Sequence, residues 1–232
     1  AFSIFVEASD IVIRGSNGRS VVYGVYAFLE QACGAGFHSP QFEHVPAQAR
    51  LAIPRAFRYD EVAEFAIRAI RTELNITAAT VDWAAKQRFN AYSLDFWVWD
   101  GTVTNIADAL DIPAIQHAIA ERGLICEGSG PAMWYFLKAE QYLADHPQWF
   151  ARVDGRPVPN RNTGDNFGYS AAAAVETFID NVRACCQRHP QITRISLWPG
   201  DGGAVCRCDA CRAMPFMQAY GDAIARLNAP NQ

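Results

Sequence analysis

The sequence predicts an α/β protein: a small α+β domain over residues 1–55, then four β→α units over residues 56–232, equal to about the first half of a (β/α)8 TIM-type barrel. Three observations carry this. Short apolar runs of strand length alternate with segments of helical period. Of the 232 residues, 50% are hydrophobic and 19% charged, an ordinary globular composition with ample material for a core. An open doubly wound sheet is the alternative arrangement, but no glycine-rich phosphate loop follows the first strand of the series.

The elements follow in order. Residues 2–6 and 10–14 are β-rich runs, the second closed by Gly15-Ser16-Asn17-Gly18. Residues 19–33 read as a helix, because Val22, Val25, Tyr26, Leu29 and Cys33 recur on one face and Gly34 and Gly36 stand at its stop. Gly24 within it costs about 1 kcal/mol relative to Ala, which points to close packing on a sheet. Residues 40–54 read as a returning loop and linker, with 51–53 as a short strand. Residues 65–73 (FAIRAIRTE) open the series, followed by a helix over 77–88 with Thr77 as its cap. Residues 90–97 form the second strand, 112–122 a helix with Pro113 in its first turn and Gly123 at its stop, and 124–127 the third strand. A long helix over 171–188, a fourth strand over 192–198 and a helix over 214–227 complete the series.

Function concentrates at the strand ends. ISLWPGDGGAVCRCDAC (residues 195–211) places Asp201 on a sharp turn behind Trp198, where parallel α/β proteins mount catalytic carboxylates; Asp is also a common turn former. The other strand ends supply Arg68, Arg71 and Glu73, then Asp95, Trp97, Trp99 and Asp100, then Glu127. Between residues 131 and 165 lies a non-periodic segment of about 35 residues with Trp134, Tyr135, Phe136, Tyr142, Trp149 and Phe150. Aromatic rings interleaved with carboxylates and amides suit a sugar, whose C–H faces stack on rings while its hydroxyls take hydrogen bonds; the same rings also suit a mini-core under a long loop.

Charge and composition exclude other classes. A net charge of −4 and the lack of a Lys/Arg cluster leave no footprint for nucleic acid. No apolar run reaches the roughly 20 residues of a membrane span. Cys33 and Cys126 read as reduced core thiols. Cys206, Cys208 and Cys211 offer three thiols to a metal but lack an evident fourth ligand, and the histidines form no ligand pair, so no metal or organic cofactor is expected; a zinc-stabilised module on the three cysteines is the minor alternative.

Several stretches resemble known families. SVVYGVYAFLEQACGAGFHSP, followed by VP and LAIP, resembles the small α+β domain that precedes the barrel in family 20 hexosaminidases and family 67 α-glucuronidases. FAIRAI resembles the opening barrel strand of that group, in which an Arg matching Arg68 holds sugar hydroxyls. EQYLADHPQWFARVDGRPV and ETFIDNVRACCQRHPQITRISLWPGDGGAVCRCDAC closely resemble the bacterial domain of unknown function 4838, to which glycoside hydrolase family 163, the endo-β-N-acetylglucosaminidases, belongs. The likeness runs over nearly the whole chain, HPQWFARVDG and WPGDGG-x-x-C-x-C-x-x-C being its most specific parts.

The resemblance implies a family 20-type barrel with a carbohydrate site at the strand ends. In the hexosaminidase group an Asp–Glu pair ends the fourth strand: the Asp orients the substrate's acetamido group as nucleophile and the Glu is the general acid. Here Asp201 is followed by Gly202, and Ser129-Gly130 stands where a Gly-His is expected. The expectation is therefore a glycoside hydrolase-like protein for N-acetylhexosamine-containing glycans. Asp201 polarises, Glu127 or Asp95 serves as acid, Arg68 clamps hydroxyls, and Trp97, Trp134, Tyr135 and Trp198 line the sugar. A non-catalytic carbohydrate-binding or scaffold protein is the rival, favoured by the missing Glu. Half a barrel leaves open sheet edges, so a further C-terminal segment or self-association is expected to complete it.

Overall fold

The computed structural model describes residues 1–72, 76–100, 110–131, 133–158, 167–200 and 205–227. The chain divides into two compact units, one of residues 1–93 and 105–126, the other of residues 94–104 and 127–232.

In the first unit β1 (Phe2–Glu7) lies between β2 (Asp10–Gly15) and, as a later edge strand, Arg58–Glu61, both antiparallel to it. Helix α1 (Gly18–Gln31) starts where Asn17 Oδ1 accepts the Ser20 amide at 2.9 Å. A Cβ on Gly24 would lie 2.5 Å from Ile13 Cγ2, so the helix approaches the sheet more closely than alanine permits, as the sequence suggests. Phe2, Ile4, Tyr23 and Ala27 form the buried core there, flanked by Ile13, Phe28, Phe57 and Tyr59.

Two differences from the sequence reading follow. A short hairpin of β3 (Gly36–Ser39) and β4 (Phe42–His44) occupies the region expected to be loop. Residues 51–53 are not a strand, because the place beside β1 is taken by β5 (Arg58–Glu61), whose charged residues suit a sheet edge.

The strand expected over 65–73 contracts to β6 (Ala69–Arg71) among the described residues. Asn90 explains the contraction: its buried side chain accepts the Arg68 amide at 2.7 Å and donates to Ala66 O at 2.7 Å, replacing ladder partners. Helix α2 (Ala78–Lys86) begins at Thr77, whose hydroxyl accepts the Thr80 amide, as its sequence implies. Strand β7 (Ala91–Asp95) ends in a single helical turn, α3 (Phe96–Trp99), so the predicted strand stops two residues early. Asp111 caps α4 (Ile112–Glu121), and Gly123 follows in the left-handed region at φ 59°. Strand β8 (Ile125–Gly130) extends three residues beyond the strand expected over 124–127.

The second unit holds α5 (Met133–Phe136), α6 (Ala139–Tyr142), a hairpin of β9 (Arg152–Val153) and β10 (Arg156–Pro157), then α7 (Ala172–Arg188) and β11 (Arg194–Leu197). Helices α8 (Asp209–Arg212) and α9 (Phe216–Leu227) follow. The long aromatic segment is thus largely folded. Phe136 packs edge-on against Phe96 at 4.9 Å and Phe178 at 5.9 Å, with Phe167 behind.

The principal sheet has four strands in the order β11-β8-β7-β6, with parallel pairing of β6 with β7 and of β8 with β11. Among the described residues it does not close into a barrel. The architecture is a mixed α/β fold around a parallel sheet.

Asn90→Ala removes both hydrogen bonds, to the half-buried Arg68 amide and to the carbonyl of exposed Ala66. We expect it to lower unfolding stability by about 1–3 kcal/mol, read from urea denaturation, given about 0.5–1.5 kcal/mol for each bond lost. A loss under about 0.5 kcal/mol would mean that this bracket does not set the start of β6.

Candidate functional site

Strand pleating sorts the side chains of β7, β8 and β11 onto two faces. Glu127 and Ser129 share one face of β8, and the parallel register sets them beside Arg194 and Ser196. Arg194 Nε donates to Glu127 Oε2 at 2.5 Å. Ser129 Oγ donates to Asp95 Oδ1 at 3.4 Å, which places Asp95 on that face too. Glu127 and Ser129 are buried, at 5% and 1% exposure. Their neighbours of opposite parity, Leu94, Cys126 and Leu197, are buried and apolar. Burial pushes the Cys126 thiol up to about 12, so it stays protonated, as expected of a core thiol.

The end of β7 joins a carboxylate to an aromatic platform. Asp95 is half-buried and leads into α3, which sets Trp97 beside it; the Trp134 ring lies 5.4 Å from that of Trp97 at 42°. Gly130 makes this possible. It sits at φ +124°, and a Cβ there would lie 2.8 Å from the Trp97 ring and 2.9 Å from Asp95 Oδ1. The Trp198 amide donates to Gly130 O at 3.2 Å, so the end of β11 lies against the same spot.

A second polar cluster fixes the end of α3. The Asp100 carboxylate takes hydrogen bonds from Tyr135 Oη, from His189 Nε2 and, at 3.1 Å, from Arg188 Nη2. Burial pushes the Asp100 carboxyl up, but the bonds from Tyr135 and His189 and the charge of Arg188 outweigh it and hold it below its ordinary value. Cys185 lies close enough to complete a metal-like triad with Asp100 and His189. Burial and the Asp100 charge push its thiol up to about 12, so it stays protonated. A polar pocket of about 210 Å³ opens beside this cluster, lined by Asp100, Tyr135, Lys138, Gln141, Asn181 and Arg188.

The third cluster is made of sulfur. Cys206, Cys208 and Cys211 bring their Sγ atoms within 4.8 Å of one another, with Ser170 Oγ 3.1 Å from Cys211 Sγ. The Cys211 amide donates to Cys208 Sγ, which with its other sulfur and hydroxyl neighbours draws the Cys208 thiol down to about 7. Burial pushes the Cys211 thiol up to about 11. All seven cysteines are free thiols.

The second unit therefore gathers Asp95, Trp97, Glu127, Trp134, Tyr135 and Trp198 from the sequence-predicted set. Tyr135 turns toward Asp100 as well as packing against Trp134 at 5.9 Å. Arg68 belongs to the first unit, where its guanidinium donates to Phe65 O at 2.7 Å and Arg88 O at 2.9 Å. Asp201 lies outside the described residues, as does Glu73. Sequence reasoning missed Ser129 and Arg194, the partners of the two carboxylates, whose signal is strand parity once the β8–β11 register is known. It also missed His189, a lone histidine at a helix end.

These features define an α/β protein whose parallel sheet presents one buried and one half-buried carboxylate on one face and tryptophans at its strand ends. The chain belongs to the family described as a domain of unknown function (DUF4838), whose model matches residues 37–229. No curated protein and no solved structure matches the sequence.

Because Asp100 titrates below its unfolded value, its stabilisation is present above the unfolded carboxylate pKa and is lost as pH falls through the folded one. Asp100→Asn should cost about 1–3 kcal/mol at pH 7 in urea unfolding, and the gap to wild type should shrink below about pH 4. A gap independent of pH would show that the charge on Asp100 contributes nothing. At the platform, Gly130→Ala should cost about 1–3 kcal/mol and shift tryptophan fluorescence, since either the Trp97 ring or the strand end must move. An unchanged emission spectrum would contradict the close approach.

Proposed function

We propose that the chain is a glycoside hydrolase-like protein acting on N-acetylhexosamine-containing glycans, with its site on the polar strand-end face of the sheet. The sheet is then the first half of a (β/α)8 barrel of the family 20 type. The buried Glu127–Ser129 face is its interior, and a further segment or a second copy completes the wall.

One observation carries the reading: Asp95 stands at the C-terminal end of a parallel strand, hydrogen-bonded to Ser129, with the Trp97 and Trp134 rings alongside. A pyranose stacked on such rings presents its glycosidic oxygen to a carboxyl at the platform's edge, which is what proton donation to a leaving group requires. Asp95 suits the role of general acid better than Glu127, whose carboxylate is taken up by Arg194 from the next strand. Glu127 is then a positioning residue that fixes the strand register beneath the site. Asp201, which follows β11 in the sequence, polarises the acetamido group. Tyr135 and Trp198 wall the sugar. No metal or organic cofactor enters this chemistry. The non-catalytic rival rests on Gly202, which leaves Asp201 without an adjacent acid.

The test is hydrolysis of an aryl N-acetylglucosaminide and of N-glycans by wild type, Asp95→Asn and Asp201→Asn, with glycan binding measured in parallel. Each substitution should lower kcat by about 10²–10⁴-fold, the usual worth of a positioned acid or base, with a smaller change in KM. Trp97→Ala should chiefly raise KM. Glycan binding by the wild type without turnover would overturn the enzymatic reading in favour of the binding protein; neither binding nor turnover would overturn both.

A further inference from the structure

We propose that Cys206, Cys208 and Cys211 form a binding site for one thiophilic divalent cation of the zinc class, with Ser170 at its fourth position. This does not depend on the glycan reading.

The geometry is that of a single ion. Tetrahedral zinc with sulfur at about 2.3 Å sets its thiolates about 3.8 Å apart. Here the Cys206 and Cys208 sulfurs stand 3.5 Å apart and all three Sγ atoms lie within 4.8 Å of one another. An iron–sulfur cluster distributes its cysteines over separate irons and needs a wider spread. A disulfide needs sulfurs at about 2.05 Å and would strand the third thiol.

The surroundings are arranged for thiolates. The Arg152 amide donates to Cys206 Sγ at 3.3 Å and the Cys211 amide to Cys208 Sγ at 3.5 Å. Such outer donors orient the sulfurs and stabilise their charge. Arg207 N donates to Arg152 O at 2.7 Å, which pins the ligand segment to β9. Ser170 Oγ stands 3.1 Å from Cys211 Sγ and 3.9 Å from Cys208 Sγ. Its hydroxyl is thus at the rim of the site, placed to bind the ion or to hold a water that does.

On binding, each ligating thiol loses its proton to solvent and forms a metal–sulfur bond, with no change of oxidation state. The ion would link three stretches of the second unit: the β9 hairpin, the turn at Ser170 and the segment from Cys206 to Cys211.

Protein kept reduced and purified without chelator should carry about one zinc per chain by elemental mass spectrometry. After stripping, added Co(II) should give intense thiolate-to-cobalt charge-transfer absorption at about one equivalent, and added zinc should raise the thermal midpoint. Cys208→Ser should reduce the charge-transfer absorption at one equivalent of cobalt by at least about tenfold, whereas Cys33→Ser should leave it unchanged. If the reduced wild type shows no charge-transfer absorption with cobalt, or if Cys208→Ser retains all of it in a protein of native circular dichroism, the site does not exist. Should Cys208→Ser fail to fold, the cobalt titration of wild type decides alone.

Discussion

A carboxylate buried within a parallel sheet is tolerated only if something of opposite charge reaches it, and Glu127 meets that condition through Arg194 on the adjacent strand. The pair does more than satisfy a charge. Arg194 is 45% exposed, so solvent weakens the pair, but the buried Glu127 carboxylate still needs its partner and thereby favours this β8–β11 register. A slip of one residue would carry Arg194 away from Glu127 and turn Ile195 onto the polar face. With that register set, Ser129 falls opposite Ser196 and within reach of Asp95, so the carboxylate at the strand end is positioned from below by an ion pair.

Two further anchors hold the ends of the segments leaving the sheet. After β7 the chain turns at once into α3, and Asp100 at the close of that turn is gripped by Tyr135, Arg188 and His189, which come from two different helical regions. The grip fixes Trp97 between Asp95 and Asp100. After β11 the sulfur cluster and the backbone bond from Arg207 to Arg152 tie down the return of the chain. A rigid strand end between fixed flanks is what a preorganised site requires, because a displacement of one ångström is costly to chemistry.

Much of this is legible in the sequence because the physics is local. The caps at Thr77 and the glycine stop at Gly123 stand where the residues place them, as do the Pro113 helix and the buried stripe of α7. The misses are non-local. Asn90 truncates β6 by occupying backbone groups more than twenty residues away, and nothing at positions 65–68 announces it. Arg58–Glu61 has no apolar alternation because it pairs along one edge only. Gly128 and Gly130 lie past the end of the strand expected over 124–127, but a Cβ at either would strike the Phe96 or Trp97 ring. They are strand residues kept small for the aromatic neighbours. At the site, Asp95 and the tryptophans are visible from spacing, whereas Arg194 and Ser129 gain their meaning only once two strands are aligned.

The contrast between the two buried-face carboxylates bears on how an acid can be supplied when none follows Asp201. A general acid need not adjoin its partner in sequence; it must sit on the same catalytic face and remain available to give up a proton. Glu127 is spent on Arg194, well inside the strand, and releasing it would cost the register that it sets. Asp95 closes its strand, accepts a hydrogen bond from the Ser129 hydroxyl, and borders a glycine that clears room for the indole beside it. In a face built this way the deeper carboxylate serves the fold, and the shallower one stands at the strand end beside the tryptophan rings.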